Sequence, residues 1–378
     1  MKEFLIREIQ TNSIENELIR IGFDESYYNI ASDKYKYKNL KIYGLTSTQA
    51  NILKQTALSL GADCATHKDV ITGKIEQSDV ILGGSYSQLK KISEKLYSQP
   101  FKLNLLADKI LETLKHKKSE TKLAGILNVT PDSFSDGGLY YNPKDAQNHL
   151  LQMIEESADM IDIGAESTKP GSEPVDDDVQ IERLKPILKF IETENINIPI
   201  SIDTRSSKVA EFVLNNGTSI INDVSGFDYD SKMPYIIKKY GAKVIIQHSK
   251  GTPKTMQNSP FYENITDEVY KSLKEKVTFA HELGINDIII DPGIGFGKTQ
   301  GDNFKLLNNI EEFFSLECPI MVGISRKSLL NCQNENTETK DAMTLAISYP
   351  LVIKGVDYLR VHNVGLHKKL LNLVGNKS

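Results

Sequence analysis

From about residue 119 the chain alternates two kinds of hydrophobic pattern. Short, nearly continuous apolar runs fall at 123–127, 160–163, 198–202, 219–221, 243–246, 288–290, 320–322 and 358–361. Between them, at 145–157, 179–193, 207–215, 233–239, 267–283, 303–314, 342–353 and 365–374, the pattern is that of amphipathic helices. Continuous apolar runs predict strands buried on both faces, which is the habit of parallel sheets. Eight such strands and eight helices in roughly 250 residues predict an α/β fold of the (β/α)8 TIM-barrel type. A doubly wound sheet shares the alternation. The count of eight, with a polar residue at every strand exit, selects the barrel.

The first 118 residues predict a separate, smaller α/β domain. Strands are expected at 4–6, 40–43 and 79–84, and helices at 13–21, 47–60, 87–97 and 105–114, with Ser13 as an N-cap and Gly61 at a helix C-terminus. Gly83-Gly84 before a helix reads as a tight turn rather than an anion cradle, and Cys64 and His67 as structural residues. Without site motifs, this domain (1–118) is expected to be an interaction or oligomerisation module, the alternative being a second activity in the same pathway as the barrel's. A polar linker at 115–121 leads into the barrel domain (119–378).

Composition narrows the function classes. A net charge of -5 with no long basic run excludes an electrostatic footprint for nucleic acid or an anionic membrane. Three cysteines without CxxC spacing predict neither a disulfide framework nor a zinc site. Charge interrupts the first residues too soon for a signal peptide, and no apolar stretch reaches the roughly 18 residues of a spanning helix, so a cytoplasmic protein is expected.

The chemistry is expected where the strands end. The first run exits at Asn128 into a polar loop through Thr130-Pro131 and Gly137-Gly138, and the second brings Asp162 and then Glu166. The others end in Asp203-Thr204, Asn222-Asp223, Gln247-His248-Ser249, Asp291-Pro292-Gly293, Ser325-Arg326-Lys327-Ser328 and Arg360-Val361-His362. A lone aspartate at a strand end is about as often a helix cap as a catalyst. Eight polar exits out of eight, all brought to one mouth by a barrel, point to a site. Asp203, Asn222 and Asp291 complement a heterocycle with adjacent N–H and NH2 donors. Arg360, His362 and Lys327 suit a polyanion, and Asn128 suits a hydrated Mg2+ that takes its other ligands from phosphate. The run from Gly293 to Thr299 is close to a phosphate-binding loop, but Pro292 occupies the place of its first glycine, so an NTPase is rejected. Phe296 instead offers an aromatic wall.

These segments together resemble dihydropteroate synthase. The resemblance is carried by Ile126 to Gly138, Asp162-Ile163-Gly164 with Glu166-Ser167-Thr168, Ser201 to Thr204, Ile221-Asn222-Asp223, Asp291 to Lys298, Ser325 to Ser328 and Arg360-Val361-His362, in order across the barrel. It implies a transferase of folate biosynthesis and a target of sulfonamides, commonly a homodimer. That enzyme condenses 6-hydroxymethyl-7,8-dihydropterin diphosphate with p-aminobenzoate to give 7,8-dihydropteroate and diphosphate, with Mg2+ required. Residue by residue, it implies pterin binding by Asp203, Asn222, Asp291 and Lys327. Diphosphate and Mg2+ fall to Asn128, Arg360 and His362, and the p-aminobenzoate site is bordered by Thr168, Pro170, Phe296 and Ser328. Asp203, Asp291, Lys327, Arg360 and His362 would carry catalysis, an SN1-like displacement. Three positions depart from the family pattern: Ala165 for Gly, Lys169 for Arg, and Ser249 for Met. The competing readings are a pterin-binding methyltransferase-like domain, which would not need the cations at 325–328 and 360–362, and a non-catalytic pterin binder.

Overall fold

The computed structural model describes residues 4–115, 118–130, 143–167, 172–251, 256, 259–330 and 334–375. The chain divides into two compact units, 1–117 and 118–378.

In the first unit, helices α1 (Ile14–Arg20) and α2 (Tyr28–Tyr35) precede strand β1 (Tyr37–Thr46). Helix α3 (Ser47–Leu58), strands β2 (Asp63–Thr66) and β3 (Gln77–Ser85), and helices α4 (Tyr86–Leu96) and α5 (Leu103–Leu114) follow. The strands form an antiparallel sheet in the order β1-β3-β2. Thr46 with Gln49 and Ser85 with Gln88 form reciprocal capping boxes, which start α3 and α4 directly from the strand ends. Leu53, Leu82, Leu89, Ile92 and Leu96 close the core without exposure. Two expectations fail here. Residues 4–6 form no strand, and Phe4, Leu5 and Ile6 lie exposed. Ser13 makes no capping bond, because its own backbone is already in the α region. The pattern also left out α2 and β2, which are too polar to mark themselves.

The second unit is an eight-stranded parallel barrel. Its strands are β4 (Lys122–Asn128), β5 (Met160–Gly164), β6 (Ile200–Asp203), β7 (Ile220–Asp223), β8 (Lys243–Gln247), β9 (Ile288–Asp291), β10 (Met321–Val322) and β11 (Tyr358–Val361). They are hydrogen-bonded in the order β10-β11-β4-β5-β6-β7-β8-β9. A parallel bridge between Ile290 and Ile320, with the Ile290 amide donating to the Pro319 carbonyl at 2.9 Å, joins β9 to the start of β10 and closes the ring. Outside it run α6 (Pro143–Glu155), α7 (Asp177–Thr193), α8 (Ser207–Asn215), α9 (Met233–Tyr240), α10 (Ile265–Glu282), α11 (Gln300–Asn308), α12 (Thr337–Lys354) and α13 (Val364–Gly375). The helix expected over 303–314 is divided: α11 stops at Asn308 and a 3-10 helix, Ile310–Leu316, replaces its second half. No described helix is long and apolar enough to cross a membrane.

Alternation along each strand sorts the side chains into two cores. Leu123, Leu127, Ile161, Ile163, Ile202, Ile221, Ile246 and Ile290 face outward into the layer beneath the helices. Ala124, Met160, Ile220, Ile245, Ile289 and Met321 face inward and plug one end of the barrel. Further along the same inward-facing rows the side chains become polar. The helices take their caps from loop residues beyond the strands: Asp176, Ser206, Asn264, Thr299 and Asn336 each accept the capping amide. Asp203, Asn222 and Asp291 therefore do not serve as caps. Leu150 of α6 is fully buried in the outer layer. Leu150→Ala is expected to destabilise the barrel by about 2–5 kcal/mol, read as a lower urea midpoint at an unchanged m-value.

Candidate active site

The polar layer is organised by Arg360, the third residue of β11. Its Nε donates to Asp162 Oδ2 at 2.5 Å and its Nη2 to Asp203 Oδ2 at 2.6 Å. Asn222 Nδ2 adds a third bond, to Asp162 Oδ2, at 3.1 Å. All four residues are buried, so β5, β6, β7 and β11 are tied together across the barrel interior. One oxygen of each carboxylate, Asp162 Oδ1 and Asp203 Oδ1, is buried without a partner. An unpaired acceptor in the interior costs roughly 1–3 kcal/mol, more if charged. Two of them on adjacent strands form a pair of acceptors for donors on a ligand.

The charges in this layer shift one another. Burial pushes the Asp203 carboxyl up to about 7, against the pull of Arg360 and with the added repulsion of Asp162. Asp291 is also raised by burial, opposed by Lys327 and by its bond from the Gly293 amide at 2.7 Å. Burial lowers Lys327 to about 8 despite Asp291 beside it. Burial works against the charge of Arg360 too, but Asp162, Asp203 and Asp291 outweigh it and hold the guanidinium protonated. A layer with this many shifted groups fits a functional site better than a packed core.

The opposite wall is the loop after β9. Gly293 and Gly297 both adopt positive φ, +69° and +64°. A Cβ at either would fall on a carbonyl oxygen of the loop after β8, that of His248 or of Lys250. Only glycine lets the two loops approach so closely. Between them, Phe296 is buried, and the Lys327 ammonium stands 4.6 Å from its ring centroid while donating to the Ile294 carbonyl at 2.6 Å. Lys327 is half-buried as a residue, but its ammonium lies at the inner end, beside the interior face of Gly323.

At the rim, His362 continues the inward row of Arg360, its Nδ1 paired with Ser325 Oγ at 2.9 Å. Asn128 ends β4 half-buried, its Oδ1 against Gly164 on the side of Asp203. Ser328 opens a 3-10 turn on the exposed edge. Thr168, Lys169 and Pro170, and the loop from Pro131 to Gly138, lie outside the described residues. Of the departures from the family pattern, Ala165 is buried in the outer core and Ser249 is half-buried, with its Oγ 3.4 Å from the Gly251 carbonyl.

The structure gives partners to two residues that the second strand exit named without a role, Asp162 and Glu166, and adds Arg205. Asp162 sits mid-strand, yet shares the inward row of Met160. Arg205 pairs with Glu166 through Nε and Nη2, at 3.2 and 2.9 Å, and stacks 4.2 Å over the Tyr229 ring. Glu166 also accepts the Val175 amide at 3.0 Å, so it fastens both sides of the loop after β5. Only contacts between distant residues reveal these roles.

A family model described as pterin binding enzyme matches residues 124–362. A Helicobacter pylori protein described as a bifunctional dihydropteroate synthase/dihydropteroate reductase is 33% identical over 377 residues, 98% of each chain. The chain belongs to the dihydropteroate synthase family. A Haloferax volcanii protein described as a probable bifunctional folylpolyglutamate synthase/dihydropteroate synthase is 34% identical over 343 residues, 84% of this chain. The chain spans 40% of that relative's length. Among solved structures, the dihydropteroate synthase of Yersinia pestis in complex with a sulfonamide drug aligns with a TM-score of 0.65 at 31% identity, covering 69% of this chain and 96% of that one. Both the eight-stranded barrel and the family expected from the strand-exit motifs are thereby borne out.

The shifted carboxyl generates a prediction. If a pterin donates N–H bonds to Asp203, it favours the ionised form and lowers the pKa on binding. Below pH 7 the protein must then release a proton to bind. The affinity for 6-hydroxymethylpterin is expected to rise from pH 6 to pH 8, with about one proton released per ligand near pH 6. Calorimetry in buffers of different ionisation enthalpy measures this, and flat affinity with no proton release would place the titrating group elsewhere.

Proposed function

We propose that the barrel is a dihydropteroate synthase that joins 6-hydroxymethyl-7,8-dihydropterin diphosphate to p-aminobenzoate. The observation that carries this reading is the pair of unpartnered buried oxygens on Asp162 and Asp203, beside Asn222 and Asp291. They match the row of donors along the edge of a pterin ring. Asp203, Asn222, Asp291 and Lys327 bind that ring, with Asp162 added to the set. Asn128 and His362 lie at the rim where the diphosphate would sit. Arg360 reaches toward it from below while its other N–H groups hold the two carboxylates.

In the reaction the bond between the pterin methylene carbon and the diphosphate oxygen breaks, and the diphosphate leaves with the electron pair. The p-aminobenzoate nitrogen forms the new bond to that carbon and gives up one proton. Cations placed where charge develops on the leaving group lower the barrier. Arg360 and His362 occupy that position, while the carboxylates around the ring stabilise positive charge on the pterin. Phe296, with Ser328, Thr168 and Pro170, borders the arylamine. A hard divalent ion fits the donors here, since Asn128 offers one amide oxygen and the substrate supplies phosphate oxygens. Mg2+ held in this way would neutralise charge on the diphosphate.

The test is diphosphate release by the purified chain given the pterin diphosphate and Mg2+, with and without p-aminobenzoate. Release that depends on p-aminobenzoate, with dihydropteroate formed, is expected. Asp203→Ala should lower kcat/KM by roughly 10- to 100-fold, the worth of a charged hydrogen bond. Tight pterin binding without release in the parent chain would return the reading to a non-catalytic binder.

A second reading concerns residues 1–117 and is favoured by the Helicobacter match, which extends across both units. It places a dihydropteroate reductase activity in the full chain, in which a hydride and a proton add across the remaining C=N bond of the ring. The chain incubated with dihydropteroate and a reduced nicotinamide or flavin should then form tetrahydropteroate at the rate the reductant is consumed. Failure with both donors would leave the first unit as the interaction module expected from its sequence.

A further inference from the structure

Lys298 is buried to 2% exposure, yet no carboxylate lies within bonding distance of its ammonium among the described residues. Its partners belong to the backbone. Nζ donates to the Gly293 carbonyl at 2.8 Å and the Phe296 carbonyl at 3.0 Å. It also lies 3.0 Å from His248 Nδ1 and 3.3 Å from the His248 carbonyl. Asp291 attracts this ammonium through space, but burying it with no carboxylate bonded to it is still unfavourable, and a methionine of similar length would fill the space without that penalty. The cation therefore has a task other than packing.

That task is to shape the loop that carries Phe296. Four of the loop's carbonyls are captured from different sides. Lys298 holds those of Gly293 and Phe296, Lys327 holds that of Ile294, and the Tyr262 hydroxyl donates to that of Gly297 at 2.9 Å. The Gly295 amide donates to Asn303 Oδ1 at 2.7 Å, and the Phe296 amide to the Gly293 carbonyl at 3.1 Å. Through His248, Lys298 also pins this loop to the one after β8, where Tyr262 packs 6.2 Å from the His248 ring.

We propose that Lys298 is a positioning residue for the arylamine step: by gathering the carbonyls of Gly293, Phe296 and His248 it fixes the Phe296 ring as the wall against which p-aminobenzoate and Lys327 pack. This rests on the synthase reading above. Burial brings the Lys298 ammonium down to about 7 and the His248 ring down to about 2. His248 therefore stays neutral and its Nδ1 is able to accept from the lysine.

Lys298→Met in the full chain tests the proposal with two readouts. Hydrogen exchange of the peptide spanning 293–297 should quicken relative to the rest of the barrel, whether or not the protein turns over. The KM for p-aminobenzoate should rise about tenfold, the equivalent of about 1.4 kcal/mol, with the pterin diphosphate KM changed less than about threefold. A residue that only stabilised the fold would lower the active fraction and leave both KM values in place, and that result overturns the proposal. Unchanged exchange overturns it as well. If the parent chain makes no dihydropteroate, the synthase reading fails on its own, and exchange alone still decides whether Lys298 shapes the loop. Should Lys298→Met not fold, Tyr262→Phe removes one hydroxyl from the same loop. It should move exchange and the p-aminobenzoate KM in the same direction by a smaller factor, and no movement in either would count against the assignment.

Discussion

A guanidinium shared between two buried carboxylates holds this barrel's interior together. Without Arg360, Asp162 and Asp203 would face each other in a low-dielectric space with nothing to balance them, and one would take up a proton. With it, both are drawn to the same cation by one oxygen each, and their other oxygens are left as acceptors. A buried ion pair of this kind is rarely a net source of stability, since desolvation consumes most of the Coulomb attraction. Here the arrangement is better understood as an oriented acceptor array, stabilised by the apolar plug beneath it and the isoleucine-rich layer around it.

The loops above the array are fitted to it by a second set of constraints, in which backbone carbonyls matter more than side chains. The glycines at 293 and 297 allow two loops to approach closely, and Lys298, Lys327 and Tyr262 then saturate the carbonyls that this approach exposes. The Glu166–Arg205 pair does the same for the loop after β5. The loops after β5 and β6, and those after β8 and β9, are thus tied to each other near their bases.

The barrel was legible in the sequence because its strands are apolar on both faces and its helices keep their period. The site was legible where a polar residue ends a strand, which is how Asp203, Asn222, Asp291, Lys327, Arg360 and His362 were found. Asp162 was named at the second strand exit but given no role, because its significance lies in pointing the same way as Met160. Arg205 and Lys298 act through partners some 40 to 50 positions away or through backbone atoms, and neither leaves a local signature. In the first unit, residues 4–6 are apolar enough for a strand but pair with no strand, and propensity alone did not decide their structure.

The Arg360 cross-link joins residues 198 and 157 positions apart in the chain. During synthesis, strands β5 and β6 leave the ribosome long before the strand that carries their counter-ion. Until β11 emerges, the two aspartates have no guanidinium to share, and each is either met by water or neutralised by a proton. The final strand therefore delivers both the closure of the sheet and the charge that its two aspartates share.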